Sequence, residues 1–166
     1  MADAFLLSLP LAAAIVVSLT LAGIAWRRSV RRVRKLFILM CLSLAFLSAT
    51  YWMELSSNTL EGKLFWNGLE YIVNVSLPPI FLMYTYTFLG RREIKRRSAL
   101  SLLFIVPALA LVLVWTNDLH NLFYTSVGLP DEPFSAFDHT YGVGFAVYSA
   151  YSLGLLLICV LALAYA

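Results

Sequence analysis

The sequence predicts an all-α fold: a polytopic membrane helix bundle with five transmembrane helices visible and the N-terminus outside. Three observations carry that prediction. Hydrophobic residues fill 61% of the 166 positions and charged residues only 13%, too little charge to cover a soluble domain. The charges fall in short blocks, and the apolar stretches between them are about 20 residues long, the length a helix needs to cross a bilayer. Finally, nearly all the basic residues sit in two blocks at alternate junctions.

The first apolar run, Ala4–Trp26, has the apolar core of a signal peptide, but only Asp3 precedes it and its arginines, Arg27 and Arg28, come after. That charge order identifies a retained span. The second run is Leu36–Met53, followed at once by Glu54, which at 1.5 Å per residue lies about 27 Å from Leu36 and so near the far interface. Tyr51, Trp52 and Trp66 fit either the aromatic belt of that interface or the lining of a pocket. The remaining runs are Leu64–Leu89, Ala99–Thr116 and Tyr141–Tyr165.

Direction follows from the loops. R-R-S-V-R-R-V-R-K between runs one and two holds six positive charges, and R-R-E-I-K-R-R between runs three and four holds five. Of the twelve Lys/Arg residues only Lys63 lies elsewhere, whereas Asp3, Glu54, Glu61, Asp118, Asp131, Glu132 and Asp138 fall on the opposite side. Positive charge in short loops stays cytoplasmic, so both basic blocks are inside and the protein is expected in the cytoplasmic membrane, in contact with the lipid bilayer. The net charge of +3 is loop charge and implies no nucleic-acid partner. Cys41 and Cys159 lie inside apolar runs and read as buried thiols. The sequence stops at its fifth run with no basic block after it, which predicts a fragment of a longer protein, residues 1–166 forming one membrane domain.

Segment 117–139 is too long for a simple connection and contains both histidines and four aromatic residues, Phe123, Tyr124, Phe134 and Phe137. It is expected to form a lid on the outer mouth of the bundle. Capping by Asn117 or Asp118 accounts for its D-x-H spacing better than a metal does, and no metal or cofactor is expected.

The third run carries the polar chemistry. Asn67, Glu70 and Asn74 recur at i, i+3 and i+7, one face of a helix, with Tyr71 beside them. Counted from Leu64, Glu70 lies about 9 Å and Asn74 about 15 Å into the membrane. A carboxylate there must be paired, hydrated or protonated. Pro78 and Pro79 cannot donate to the carbonyls of Asn74 and Val75, so a kink and two freed acceptors are expected at mid-membrane. Such carbonyls must face protein or water rather than lipid. The expected site is a pocket formed by Asn67, Glu70, Tyr71 and Asn74, with Glu54 at its edge and His120 and Tyr124 above. With two acids and no buried cation, it should favour a cationic, amine-bearing or hydrogen-bond-donating ligand over an anion.

The ordered set Y-W-M-E (51–54), K-L-F-W-N-G-L-E-Y (63–71), L-P-P (77–79), I-V-P-A-L (105–109) and T-N-D-L-H-N-L-F-Y (116–124), with basic inner loops between, resembles the N-terminal seven-transmembrane sensor region of histidine kinases and related signalling proteins. The resemblance covers essentially the whole chain, and Glu54, Glu70, Tyr71, Pro78, Pro79, Asn117, His120 and Tyr124 fall on its recurring motifs. It implies a seven-helix bundle that detects a small-molecule or lipid ligand and passes the signal to a cytoplasmic signalling domain in cis, with a second copy as a homodimer partner. The chain departs from the family pattern by stopping after five runs, and it has no phosphoacceptor helix, ATP-binding glycine boxes or cyclase signature, so no enzyme activity is expected on it. The alternative is a subunit of a small-solute or ion transporter or channel. That function needs a polar route to the cytoplasmic side, where the third run instead reads I-F-L-M-Y-T-Y-T-F-L. A membrane enzyme would need a nucleophile or metal motif beside the acids and histidines, and a retinal protein a lysine within a span; neither is present.

Overall fold

A computed structural model describes residues 2–28, 31–90, 97–131 and 134–165. Its five long helices are α1 (Ala2–Arg28), α2 (Arg31–Ser56), α3 (Leu60–Phe88), α4 (Arg97–Trp115) and α6 (Val143–Ala164). Between α4 and α6 lie a single turn, α5 (Asn117–His120), and two strands, β1 (Tyr124–Gly128) and β2 (Asp138–Tyr141). Each expected apolar run is a helix, and among the described residues three are long and apolar enough, by length and composition, to cross a membrane: Ser8–Arg27, Val33–Ser56 and Val143–Ala164. The amides, prolines, tyrosines and threonines of α3 dilute its hydropathy, and the described apolar part of α4 is the shorter Ser101–Trp115. Three candidate spans, rather than the expected five, are therefore shown among the described residues.

The helices pack in sequence, α1 on α2 and α2 on α3, and α3 then holds both α4 and α6. Small side chains form the first seam: Ser18, Ala22 and Ala25 of α1 and Cys41 and Ala45 of α2 are buried. Small residues at helical spacing let two backbones approach closely, the usual way helices associate where lipid removes the hydrophobic drive. The large residues of α1 and α6 point the other way, with Val16, Trp26, Leu153 and Val160 among the most exposed apolar side chains.

The turn from α2 to α3 is closed by two polar devices. Thr59 caps α3 by accepting from the Gly62 N–H at 3.2 Å. Lys63, only 3% exposed, donates its ammonium to the carbonyls of Glu54 (3.1 Å) and Ser135 (2.6 Å). A cation on a carbonyl of the last turn of α2, one that also accepts from the Ser57 N–H at 3.1 Å, complements the helix dipole. The expectation of no buried cation is thus corrected. Lys63 was the one basic residue outside the inner loops, and it is buried because it fastens three segments together.

The segment expected as a lid is instead an antiparallel β-hairpin whose base enters the bundle. Its register pairs Tyr124 with Tyr141, Ser126 with Thr140, Val127 with His139 and Gly128 with Asp138, with an irregularity at Thr125. The Gly142 N–H bonds Phe123 O and the Gly144 N–H bonds Leu122 O, both at 2.8 Å, which anchors the hairpin to the start of α6. A Cβ on Gly142 would sit 2.3 Å from Leu122 O, so only glycine allows this approach. Phe123, Tyr124 and Phe137 are at most 3% exposed and form one core with Tyr71, Val75, Ala110 and Tyr148. A smaller core at the other end joins Leu82, Leu155 and Cys159, beside a hydrogen bond from the Tyr151 hydroxyl to Leu103 O.

Candidate functional site

At the hairpin end of the bundle, α3 brings Asn67 and Tyr71 against the hairpin, and Asn67 and Glu70 against Glu54 of α2. Asn67, a buried amide, is at the centre. Its Nδ2 donates to Glu54 Oε2 at 3.3 Å, and its Oδ1 accepts from the Tyr124 hydroxyl at 2.7 Å. Glu54 is 1% exposed, and the Phe137 backbone N–H also acts on its carboxyl. The C-terminal end of α2, the first turns of α3 and the inserted hairpin are therefore joined by one polar chain. Burial pushes the Tyr124 phenol above the ordinary tyrosine range, so it acts only as a neutral donor.

Glu70 lies one turn further along. Asn74 Nδ2 reaches its Oε1 at 3.4 Å, and the neighbouring polar side chain is the Glu54 carboxyl. Glu70 Oε2 is buried, and no N–H or O–H of the described residues donates to it. Tyr71 is packed by rings, edge-on to Phe123 at 5.0 Å and to Tyr124 and Tyr148 at 6.4 Å. The helix runs unbroken through Pro78 and Pro79. The carbonyl of Asn74, which Pro78 cannot serve, accepts from the Tyr148 hydroxyl of α6 at 2.9 Å. One freed acceptor therefore faces protein.

A cavity of about 200 Å³ opens between α3, α4 and the hairpin. Its wall includes Asn67 and Gly68 of α3, Trp115 of α4, Asp118 of α5 and Tyr124 of β1, with Phe65 beside Trp115. Gly68 makes room for the Trp115 ring, which would lie 3.0 Å from a Cβ at that position. Of the residues expected to line a pocket, Asn67 and Tyr124 do so. Glu54 backs Asn67 from behind, while Glu70, Tyr71 and Asn74 continue along α3 outside this wall.

His120 is occupied by its own turn. Its Nδ1 accepts from the Leu122 N–H at 3.0 Å, which leaves Nε2–H to meet Thr116 Oγ1 at 3.1 Å. Asn117 does not cap α5, whose N-cap is Thr116 without a side-chain cap bond. Instead its Oδ1 accepts from the N–H groups of Phe123 (3.0 Å) and Tyr124 (2.9 Å), and its Nδ2 donates to Tyr124 O at 3.0 Å. An asparagine can satisfy two N–H groups and one C=O at once, and here it holds the strand that delivers Tyr124.

Sequence reasoning missed the contributions of Lys63, Trp115, Phe137 and Tyr148. Lys63 carried a signal, being the single basic residue away from both basic blocks. The other three are aromatic residues among many, and only the packing distinguishes them. Compared with known proteins, residues 10–166 match a family model described as the N-terminal 7TM region of histidine kinase. No curated protein and no solved structure matches the chain.

Proposed function

The chain belongs to the family of N-terminal seven-transmembrane regions of histidine kinases, and from that premise we propose that it detects an extracytoplasmic or membrane-borne ligand in the cavity at the hairpin end and relays binding to a cytoplasmic output in cis. In this proposal the region is an input, and no catalytic step is assigned to it. In this reading all five long helices cross the cytoplasmic membrane with the N-terminus and hairpin outside, as the arginine placement argues.

The observation that carries the proposal is the double role of Tyr124. Its ring forms part of the cavity wall and its hydroxyl bonds Asn67 of α3, which in turn bonds Glu54 of α2. An occupant that moves the Tyr124 ring changes its hydrogen bond to Asn67 and, through Asn67, the bond that links α3 to α2, and those helices run to the end of the bundle that carries the basic blocks. Differential contact of this kind is what a ligand needs to bias a two-state element.

The test is Tyr124→Phe and Asn67→Ala in the intact kinase, with autophosphorylation measured in membrane vesicles. Both variants should shift basal output relative to wild type at equal expression. Unchanged output in two well-folded variants would remove the polar chain from signalling.

A further inference from the structure

We infer that the cavity between α3, α4 and the hairpin is a site for a small organic cation, an alkylammonium held between aromatic faces and the Asp118 carboxylate. The inference rests on the sensory reading of the same cavity and names its ligand class. Elimination among the wall's polar groups leads to it. Both polar atoms of Asn117 are bound to hairpin backbone. The Tyr124 hydroxyl is donated to Asn67, and Asn67 uses Oδ1 on Tyr124 and Nδ2 on Glu54. Among the described residues of the wall, Asp118 alone carries a charge, and it is exposed, placing the carboxylate at the mouth.

The rest of the wall is apolar and aromatic. Trp115 and Phe65 meet edge to face, centroids 6.3 Å apart, and both are about half exposed (49% and 51%), so ring surface remains for an incoming group. Aromatic faces beside a carboxylate attract a poorly hydrated cation twice over, through the ring quadrupole and through charge. An anion meets the wrong sign at the mouth. A volume of about 200 Å³ lies below that of drug-sized sites and suits a ligand of a few carbons around one nitrogen.

The test is equilibrium binding of radiolabelled tetramethylammonium to the intact kinase in dodecyl maltoside, a neutral detergent without a competing ammonium headgroup. Binding should be saturable, displaced by butylammonium, and unaffected by tert-butyl alcohol or acetate. Asp118→Asn, at an exposed position, should weaken it about tenfold while Asp118→Glu retains it, and Phe65→Leu should also weaken it. Absence of saturable binding, equal displacement by the neutral alcohol, or an Asp118→Asn affinity within twofold of wild type would each overturn the cation site. The two readings separate in the intact kinase. Binding without any change in autophosphorylation overturns the sensory reading and leaves the site. Absence of binding while Tyr124→Phe still alters output overturns the ligand class and leaves the sensory reading.

Discussion

The Tyr148 hydroxyl of α6 donates to the backbone carbonyl of Asn74 at 2.9 Å, the acceptor that Pro78 leaves without its helical donor. A proline within a buried helix normally leaves one carbonyl bare, and a bare carbonyl in an apolar setting costs a few kcal/mol. Here the adjoining helix supplies the missing donor, so the proline couples α3 to α6. Tyr148→Phe should destabilise the bundle by about 1–3 kcal/mol. In a Pro78→Ala background, where residue 78 regains its N–H, the same change should cost clearly less. A double-mutant cycle by thermal unfolding in detergent checks this, and equal costs in both backgrounds would show that Tyr148 acts through packing alone.

Lys63 holds the carbonyls of Glu54 and Ser135, tying α2 to the connection between β1 and β2. Lys63→Met keeps the aliphatic stem and removes the donor. It should cost about 1.5–3 kcal/mol, the range for hydrogen bonds from a charged group, and should raise proteolytic nicking in segment 129–137. Wild-type stability with an unchanged digestion pattern would make the lysine incidental.

Glu70→Gln is nearly isosteric and places an N–H beside the Glu54 carboxyl, where Glu70 Oε2 has no donor among the described residues. Its thermal stability should equal or exceed that of wild type, whereas Glu70→Ala, which also strands the Asn74 amide, should lose about 1 kcal/mol or more. A glutamine variant less stable than the alanine variant would contradict the arrangement of the two carboxyls.

Topology is open to direct chemical test. Cysteines placed at the exposed Asn58 and Asp131 should react with an impermeant thiol reagent in intact cells, and one at the exposed Lys35 should not. The native Cys41 and Cys159 are buried and should stay silent. Labelling at Lys35 would invert the orientation.

The sequence by itself determined the class, the helices and the family. Helix-length apolar runs and the placement of eleven of twelve basic residues in two blocks are one-dimensional signals, legible without knowing any contact. The polar face of α3 was legible for the same reason, because the spacing of Asn67, Glu70 and Asn74 puts them on one side of any helix. Tertiary structure decided which partners that face meets. The strands were hidden because a nine-residue connection, 129–137, replaces the short turn that marks a hairpin, and because aromatic residues in a loop read equally as lid or as core. Lys63 looked like an outlier of topology, and only three-dimensional proximity to Glu54 and Ser135, the latter 72 residues away in sequence, made it a buried clamp. The division has one physical reason. Helix formation and bilayer insertion depend on nearby residues and on hydropathy summed along the chain, whereas satisfying a buried amide, carboxyl or proline-freed carbonyl depends on what another element brings within 3 Å or so.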